Sequence, residues 1–268
     1  VELPNEQYHR EPAASKSTLD LVAQSPALVQ WARAATEDED AASQVEIGNA
    51  FEALLLEPER FELTYLVDTA LNKSTKEGKA EAAAVREKAD ETGAAILSPK
   101  DYAKVHLMQR SALAHPVVAS LLGQSNAAQQ SWFWVDPDTG QRCKCRPDLM
   151  LRDRPVVADL KITGDMDRFA ASVHNYRYHV QDALYTDGLA RYYGERPAFV
   201  FIVVSSSLSA RKYPVHVYEL DAADKAQGHR LYRRDLERYA DCLRTNGWHH
   251  IEPLTRPAWA HRLDEYGA

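Results

Sequence analysis

From Gln129 to Leu220 the chain breaks into five runs rich in β-branched and aromatic residues: QQSWFWVD, QRCKCRPDLMLR, PVVADLKIT, AFVFIVVSSS and YPVHVYEL. Short apolar runs bounded by turn residues read as strands. The gaps between them restrict how they can be joined. PDTG, the dipeptide Asp153–Arg154 and residues 208–212 are long enough only for turns, and strands joined by turns lie antiparallel. The remaining gap, 164–197, carries a helical pattern over about 167–193. A connection of that length is a crossover, which returns the chain parallel to the strand it left. A sheet with both kinds of step is mixed. The expected fold class is therefore α+β (α/β-like), a mixed central sheet flanked by helices.

The residues before this sheet read as helices. SKSTLDLVAQSP opens with a serine-rich N-cap pattern and breaks at Pro26. QVEIGNAFEALLLEPERF places Val45, Ile47, Ala50, Phe51, Leu54 and Leu55 near helical period and stops at Pro58. FELTYLV alternates like a strand. Residues 74–92 form a charged, alanine-rich, solvated helix, and 99–122 two helices divided near Pro116. EDEDAAS, 37–43, reads as an exposed acidic connector, and a long amphipathic helix over about 221–244 follows the last strand. Neither repeat nor linker divides the chain. One domain over 1–268 is expected, with a helical part to about 124, a sheet-bearing core over about 125–245 and a tail over 246–268. The start at Val1 rather than Met suits a fragment of a longer chain.

With 45% hydrophobic and 26% charged residues, a chain of 268 buries a full core without disulfides or a structural metal. Three cysteines make no disulfide framework. Cys143 and Cys145 share one face of a strand, where a bridge would be strained, and read as packing residues. Reduced thiols, no apolar run of membrane-spanning length and no visible signal peptide point to a cytoplasmic protein with no membrane partner. The net charge of −7 argues against a nucleic-acid binder. Its distribution argues otherwise: residues 142–213 hold 12 Lys and Arg against 8 Asp and Glu. Focused positive charge attracts a polyanion even on an acidic protein.

Within CRPDLMLRDRPVVADLKIT, Cys145 to Thr163, charged residues interrupt two apolar strands. Asp159 and Lys161 are two apart and project from one face, with Leu160 turned away. If the strands 144–151 and 155–161 pair through RDRP, Asp148 falls opposite roughly Asp159. Two carboxylates that close repel each other and need a cation. Hard oxygen ligands suit Mg²⁺ or Mn²⁺, and such an ion polarises a phosphodiester and acidifies a bound water. Lys161 beside it would hold or help deprotonate the water, or neutralise charge on phosphorus. A lone D-x-K is more often an edge-strand ion pair of little consequence; Pro-Asp, ten residues, then Asp-Leu-Lys on adjacent strands is far rarer.

RPD…DLK resembles the PD-(D/E)xK nuclease signature. LPNEQYHREPAASKSTL, IGNAFEALLLEPERF, KCRPDLMLRDRPVVADLKIT, YRYHVQDALYTDGL and FVFIVVSSSLSARKYPVHVYEL, in that order, resemble the RecE (exonuclease VIII) family over nearly the whole chain. The resemblance implies a restriction-endonuclease-like core, in a bacterial or phage-encoded protein. It implies a Mg²⁺-dependent exonuclease, with Mn²⁺ as substitute, that degrades one strand of duplex DNA from its 5′ end and leaves a 3′ tail. It further implies a homo-oligomeric ring, trimer or tetramer, and a single-strand annealing partner of the RecT type. Glu52, at a position where such families carry a metal ligand, would complete the set with Asp148, Asp159 and the Leu160 carbonyl; Glu46 and Glu57 are its rivals. Gln181 and Tyr185, spaced i, i+4, resemble a Q-x-x-x-Y motif, with Gln181 on the water or a phosphate and Tyr185 on the DNA backbone. Arg177, Tyr178 and His179 add cationic and stacking groups. Ser15, Lys16 and Ser17, opening a helix, would form an anion site for the terminal phosphate, or simply a serine N-cap. An endonuclease or single-strand nuclease on the same site, or a catalytically silent DNA-binding module, are the alternatives. His249, His250, Trp248 and Trp259 read as surface and packing residues.

Overall fold

The structure, a computed structural model, describes residues 3–34, 47–68, 74–249 and 254–265. EDEDAAS, Val45, Glu46 and His250 lie outside them. The chain opens with α1 (Asn5–Arg10), α2 (Lys16–Gln24) and α3 (Ala27–Ala34), then α4 (Ile47–Leu56) and α5 (Pro58–Thr64). Next come β1 (Tyr65–Val67), α6 (Lys76–Thr92), β2 (Ala95–Leu97), α7 (Pro99–Leu113) and α8 (Pro116–Leu122). The sheet region holds β3 (Asn126–Ala128), β4 (Trp132–Val135), β5 (Arg142–Cys145), β6 (Leu149–Leu151) and β7 (Val156–Thr163). α9 (Phe169–Asn175) and α10 (Tyr178–Tyr193) lead to β8 (Ala198–Ser205), β9 (Val215–Tyr218), α11 (Ala222–Thr245) and α12 (Ala258–Glu265).

The central sheet has the order β3-β6-β7-β8-β9, and only its β7–β8 step is parallel. This is the mixed sheet the connection lengths require, with α9 and α10 as the crossover. β6 and β7 pair with Leu149 opposite Ala158, so Asp148 and Asp159 fall at the next rung, as the RDRP turn implies.

Four segments differ from the sequence reading. Phe61–Thr64 is helical rather than extended: Pro58 sits in the first turn of α5, where its fixed φ suits a helix, and Phe61 packs against Tyr65 and Tyr102. QRCKCRPDLMLR is two strands in two sheets, because Pro147 has no N–H for a ladder; β5 pairs with β4 in a separate hairpin, and β6 joins the main sheet. The helix expected over 167–193 breaks at Tyr176–Arg177, where Arg177 is left-handed (φ 53°). Tyr65–Val67, the end of FELTYLV, is extended as expected and forms β1, parallel to β2; β2 and β3 have no strong sequence pattern.

Each face of the sheet buries its own core. On one, Val157, Phe199, Phe201 and Val203 pack with Leu184 of α10 and Tyr232 and Leu236 of α11. On the other, Ala158, Ile202 and Val204 pack with Phe51 and Leu54 of α4 and Val105 and Met108 of α7. α11 lies so close on α10 that a Cβ at Gly228 would stand 2.0 Å from the His179 carbonyl oxygen. In the hairpin, the buried Lys144 donates to the carbonyls of Tyr8, His9 and Glu11 (2.5, 3.2 and 2.9 Å) and so closes the end of α1.

Candidate active site

The site forms where β6 gives out beside β7. Thr163 O accepts from Ser206 N and Pro155 O from Ala198 N, so odd-numbered residues of β7 turn their main-chain groups toward β8. Even-numbered Leu160 turns its N–H and C=O the other way, past the end of β6. There Asp148 Oδ2 accepts from Leu160 N at 2.6 Å, a side chain taking the place of a missing ladder partner.

Two helices bring the remaining groups from opposite faces. Glu52 comes from α4. Its Oε1 and Asp148 Oδ1 both accept from Gln129 Nε2, at 2.6 and 3.0 Å. From α10, Gln181 Nε2 donates to Asp159 Oδ1 at 2.5 Å. Asp159 is 3% exposed, and the Lys161 ammonium lies 2.5 Å from its Oδ2, which accepts no hydrogen bond of good geometry. Lys161 Nζ also sits 4.5 Å from the centroid of the Tyr178 ring.

The electrostatics are those of like charges crowded out of water. Burial first, then Asp159, push Glu52 up to about 7, against the opposing pull of Lys161. Burial, Asp159 and Glu52 hold Asp148 well above the usual carboxylate range. Burial alone would pull Lys161 down, but Asp159 and Asp148 outweigh it and hold the ammonium more firmly than usual.

Asp148, Asp159, Lys161, Glu52 and Gln181 thus come together as expected, with the Leu160 carbonyl at the same edge. They do not form a ready-made ion cage: among the described residues no three His, Cys, Asp or Glu side chains are so arranged. The Gln129 amide stands between Glu52 and Asp148, and Lys161 and Gln181 hold Asp159. The donor chemistry nevertheless fits a hard divalent cation. Mutually repelling carboxylates, a buried Asp159 oxygen without a proper donor and a main-chain carbonyl are oxygen ligands that a cation would relieve. Gln129 is the residue sequence reasoning missed. Glu57, the rival to Glu52 as a ligand, pairs with Arg60 instead (2.8 Å).

The DNA-contact candidates divide. Ser15 caps α2, accepting from Thr18 N at 3.3 Å, and also bonds Ser17 Oγ; Ser17 is exposed. Lys16 Nζ donates to Tyr176 O at 2.6 Å and pairs with Asp20 at 2.5 Å. Tyr178 lies at the site. Three others are turned inward. Arg177 is tied to Leu19 O, Asp20 and the buried Asp235. His179 is buried, its Nδ1 3.2 Å from Val173 O. Tyr185 is 9% exposed and packs edge-on against Phe199.

Paired aspartates on adjacent strands, with a lysine two residues beyond the second, define a PD-(D/E)xK-type core. Residues 15–250 match the family described as "PDDEXK-like domain of unknown function (DUF3799)", and the chain belongs to it. A search of curated proteins finds no match. Among solved structures, a "Putative exonuclease" from Eubacterium rectale superposes with a TM-score of 0.55 at 12% identity, over 100% of this chain and 99% of that one. Another, SSO0001, reaches only 0.30 at 14% identity, over 72% of this chain and 87% of that one, too loose a fit to argue from. Among the described residues no helix is long and apolar enough to cross a membrane.

Proposed function

We propose that this chain is a divalent-metal-dependent DNA exonuclease of the RecE kind, acting on the ends of linear duplex DNA and digesting one strand from the 5′ end. The observation that carries the reading is the convergence of Asp148, Asp159 and Glu52 on the Lys161 edge of the sheet, with the pKa of both Glu52 and Asp148 held above the ordinary carboxylate range. Perturbed carboxylates gathered around one lysine are what phosphodiester hydrolysis asks of a protein. The name of the E. rectale structure points the same way.

Glu52, Asp148, Asp159 and the Leu160 carbonyl would hold Mg²⁺, or Mn²⁺ in its place. Bound there, the ion supplies Lewis acidity to the phosphodiester and acidity to a water. The chain's own groups do the rest. Lys161, kept protonated by Asp159 and Asp148, acts as a donor: it orients the attacking water or neutralises charge gathering on the phosphoryl oxygens. Gln181 fixes Asp159 through its hydrogen bond and so fixes the direction in which that carboxylate presents its second oxygen. Gln129 holds Glu52 and Asp148 side by side. Ser15, Lys16 and Ser17 would meet a terminal phosphate, with Lys16 exchanging Asp20 for it. A homo-oligomeric ring around duplex DNA would give processivity without strong grip, which suits a net charge of −7, and a single-strand annealing protein of the RecT type would take up the 3′ tail.

Digestion of linear duplex DNA carrying 5′-phosphate or 5′-hydroxyl ends, with Mg²⁺ or a chelator, tests this directly. Mg²⁺-dependent nucleotide release from the linear duplex, an intact closed circle, and loss of release in Asp159→Ala and Lys161→Ala with unchanged circular dichroism are expected. Wild-type turnover in either variant removes the mechanism, and cutting of the circle makes the protein an endonuclease.

A further inference from the structure

A line of aromatic rings runs from Lys161 across the sheet face, and one end of it is bare. Tyr178 lies beneath the Lys161 ammonium and 5.7 Å from Phe201. Tyr176 stacks on Tyr178, with centroids 5.7 Å apart and planes at 28°, yet it is 60% exposed. Beyond Tyr178 the line continues through Phe169, Tyr218 and His216; Phe169 with Tyr218 and Tyr218 with His216 are stacked, each pair 5.5 Å apart.

An exposed tyrosine is ordinary on a protein surface. This one is fixed in place. Tyr176 N donates to Ser172 O at 2.9 Å, and its carbonyl accepts from Lys16 Nζ. The next residue, Arg177, is held in the left-handed region by Leu19 O, Asp20 and buried Asp235, contacts that reach it from α2 and α11. A non-glycine residue in the left-handed region is strained and persists where its surroundings over-determine it. That strained residue marks the break between α9 and α10, and the break sets the Tyr176 ring out on Tyr178, whose own ring lies under the Lys161 ammonium.

The two ends of the line differ in charge. At the Tyr176 end, the ammoniums of Lys16 and Lys161 stand 6.0 and 4.5 Å from the centroid of Tyr178, the ring on which Tyr176 stacks. At the far end a cavity of about 480 Å³ is rimmed by Asp167, Glu219, Asp221 and Asp224, which repel phosphate. The Tyr176 side, where each ammonium is paired with one carboxylate (Lys16 with Asp20, Lys161 with Asp159), is therefore a less repulsive approach for a nucleic-acid strand than the acidic far end. We propose that Tyr176 is a stacking platform for an unpaired nucleobase adjacent to the phosphodiester being cut. The assignment rests on the nuclease reading for its substrate. A ring already oriented and backed by a second ring loses little freedom when a base stacks on it, and stacking tolerates every base.

The test uses the full chain and single-stranded oligodeoxynucleotides carrying 2-aminopurine at the 5′- or the 3′-terminal nucleotide, with Ca²⁺ replacing Mg²⁺ so that the strand is not cut. Wild type and Tyr176→Phe should quench the fluorescence of one of the two probes. Tyr176→Ala should lose the quenching and bind about tenfold more weakly, with a melting temperature matching wild type. Equal quenching in Tyr176→Ala, or no binding of either probe by wild type, overturns the platform. Nucleotide release in Mg²⁺ alongside unchanged quenching in Tyr176→Ala removes the platform and keeps the nuclease. Quenching that needs Tyr176, without any nucleotide release, removes the nuclease and keeps the platform.

Discussion

Consider Glu52→Gln in protein stripped of divalent ions by a chelator. Glutamine keeps an oxygen to accept from Gln129 Nε2 and removes the charge. In the folded wild type Glu52 titrates near 7 rather than at its ordinary 4.5. A raised folded pKa contributes stability that is fully present below the unfolded value and is lost as pH rises through the folded one. At about 1.36 kcal/mol per pH unit, the swing between pH 4.5 and 8 is ~3 kcal/mol, a ceiling because Asp148 shares the same repulsion. The glutamine variant has no such term. It should match wild type near pH 5 and be the more stable protein at pH 8. At about 2–4 °C per kcal/mol for a chain of this size, its melting temperature there should be higher by several degrees, with a ceiling of about 6–12 °C. Melts followed by circular dichroism from pH 5 to 8 decide it. With Mg²⁺ the order should invert, because the ion stabilises the wild-type carboxylates and finds one fewer in the variant. A stability difference that does not change with pH, or a glutamine variant less stable at pH 8, would refute the account of the site as an uncompensated cluster of negative charge.

Gln129→Leu removes the one donor shared by Glu52 and Asp148; it should cost about 1–3 kcal/mol in chemical denaturation without metal, with much of the loss restored by Mg²⁺. Gly228→Ala, remote from the site, should lower stability by about 1–3 kcal/mol and also slow nucleotide release, because α11 must back away from His179 and α10 carries Gln181; a normal digestion rate would show that α10 does not need that packing. Lys144→Met leaves three carbonyls at the end of α1 without their donor; a loss of about 1–3 kcal/mol and faster proteolytic clipping near residue 10 are the expected readouts.

How far the site could be read beforehand depends on how local its determinants are. Asp148 opposite Asp159 follows from a short turn and a side-chain period of two, both plain in LMLRDRPVVADLK. Glu52 could be placed because Phe51, Leu54 and Leu55 define the buried arc beside it. Gln129 could not. It follows a three-residue strand with no periodicity, and its left-handed backbone (φ 51°) leaves no mark in NAAQQS. The same holds for Arg177, whose partners Asp20 and Asp235 arrive from helices distant in the chain; nothing in HNYRYHV announces that its guanidinium is spent inside the protein. Two misreadings did have a local signal. Pro147 was enough to divide its run into two strands, and Pro58 outweighs the alternation over Phe61–Thr64, the first part of FELTYLV, a run too short for period alone to decide.

Asp148 reaches the Leu160 N–H as though it were one more tooth of the zipper between two strands. That makes the hairpin at Arg152–Pro155 a caliper. Its composition is free to drift, since nothing in the chemistry touches it. Its span is not: one inserted residue would slide the first aspartate past its mark, or roll the second onto the opposite side of the pleat with its lysine. Lineages descended from this protein should accept almost any spelling of that corner and reject a change in its length.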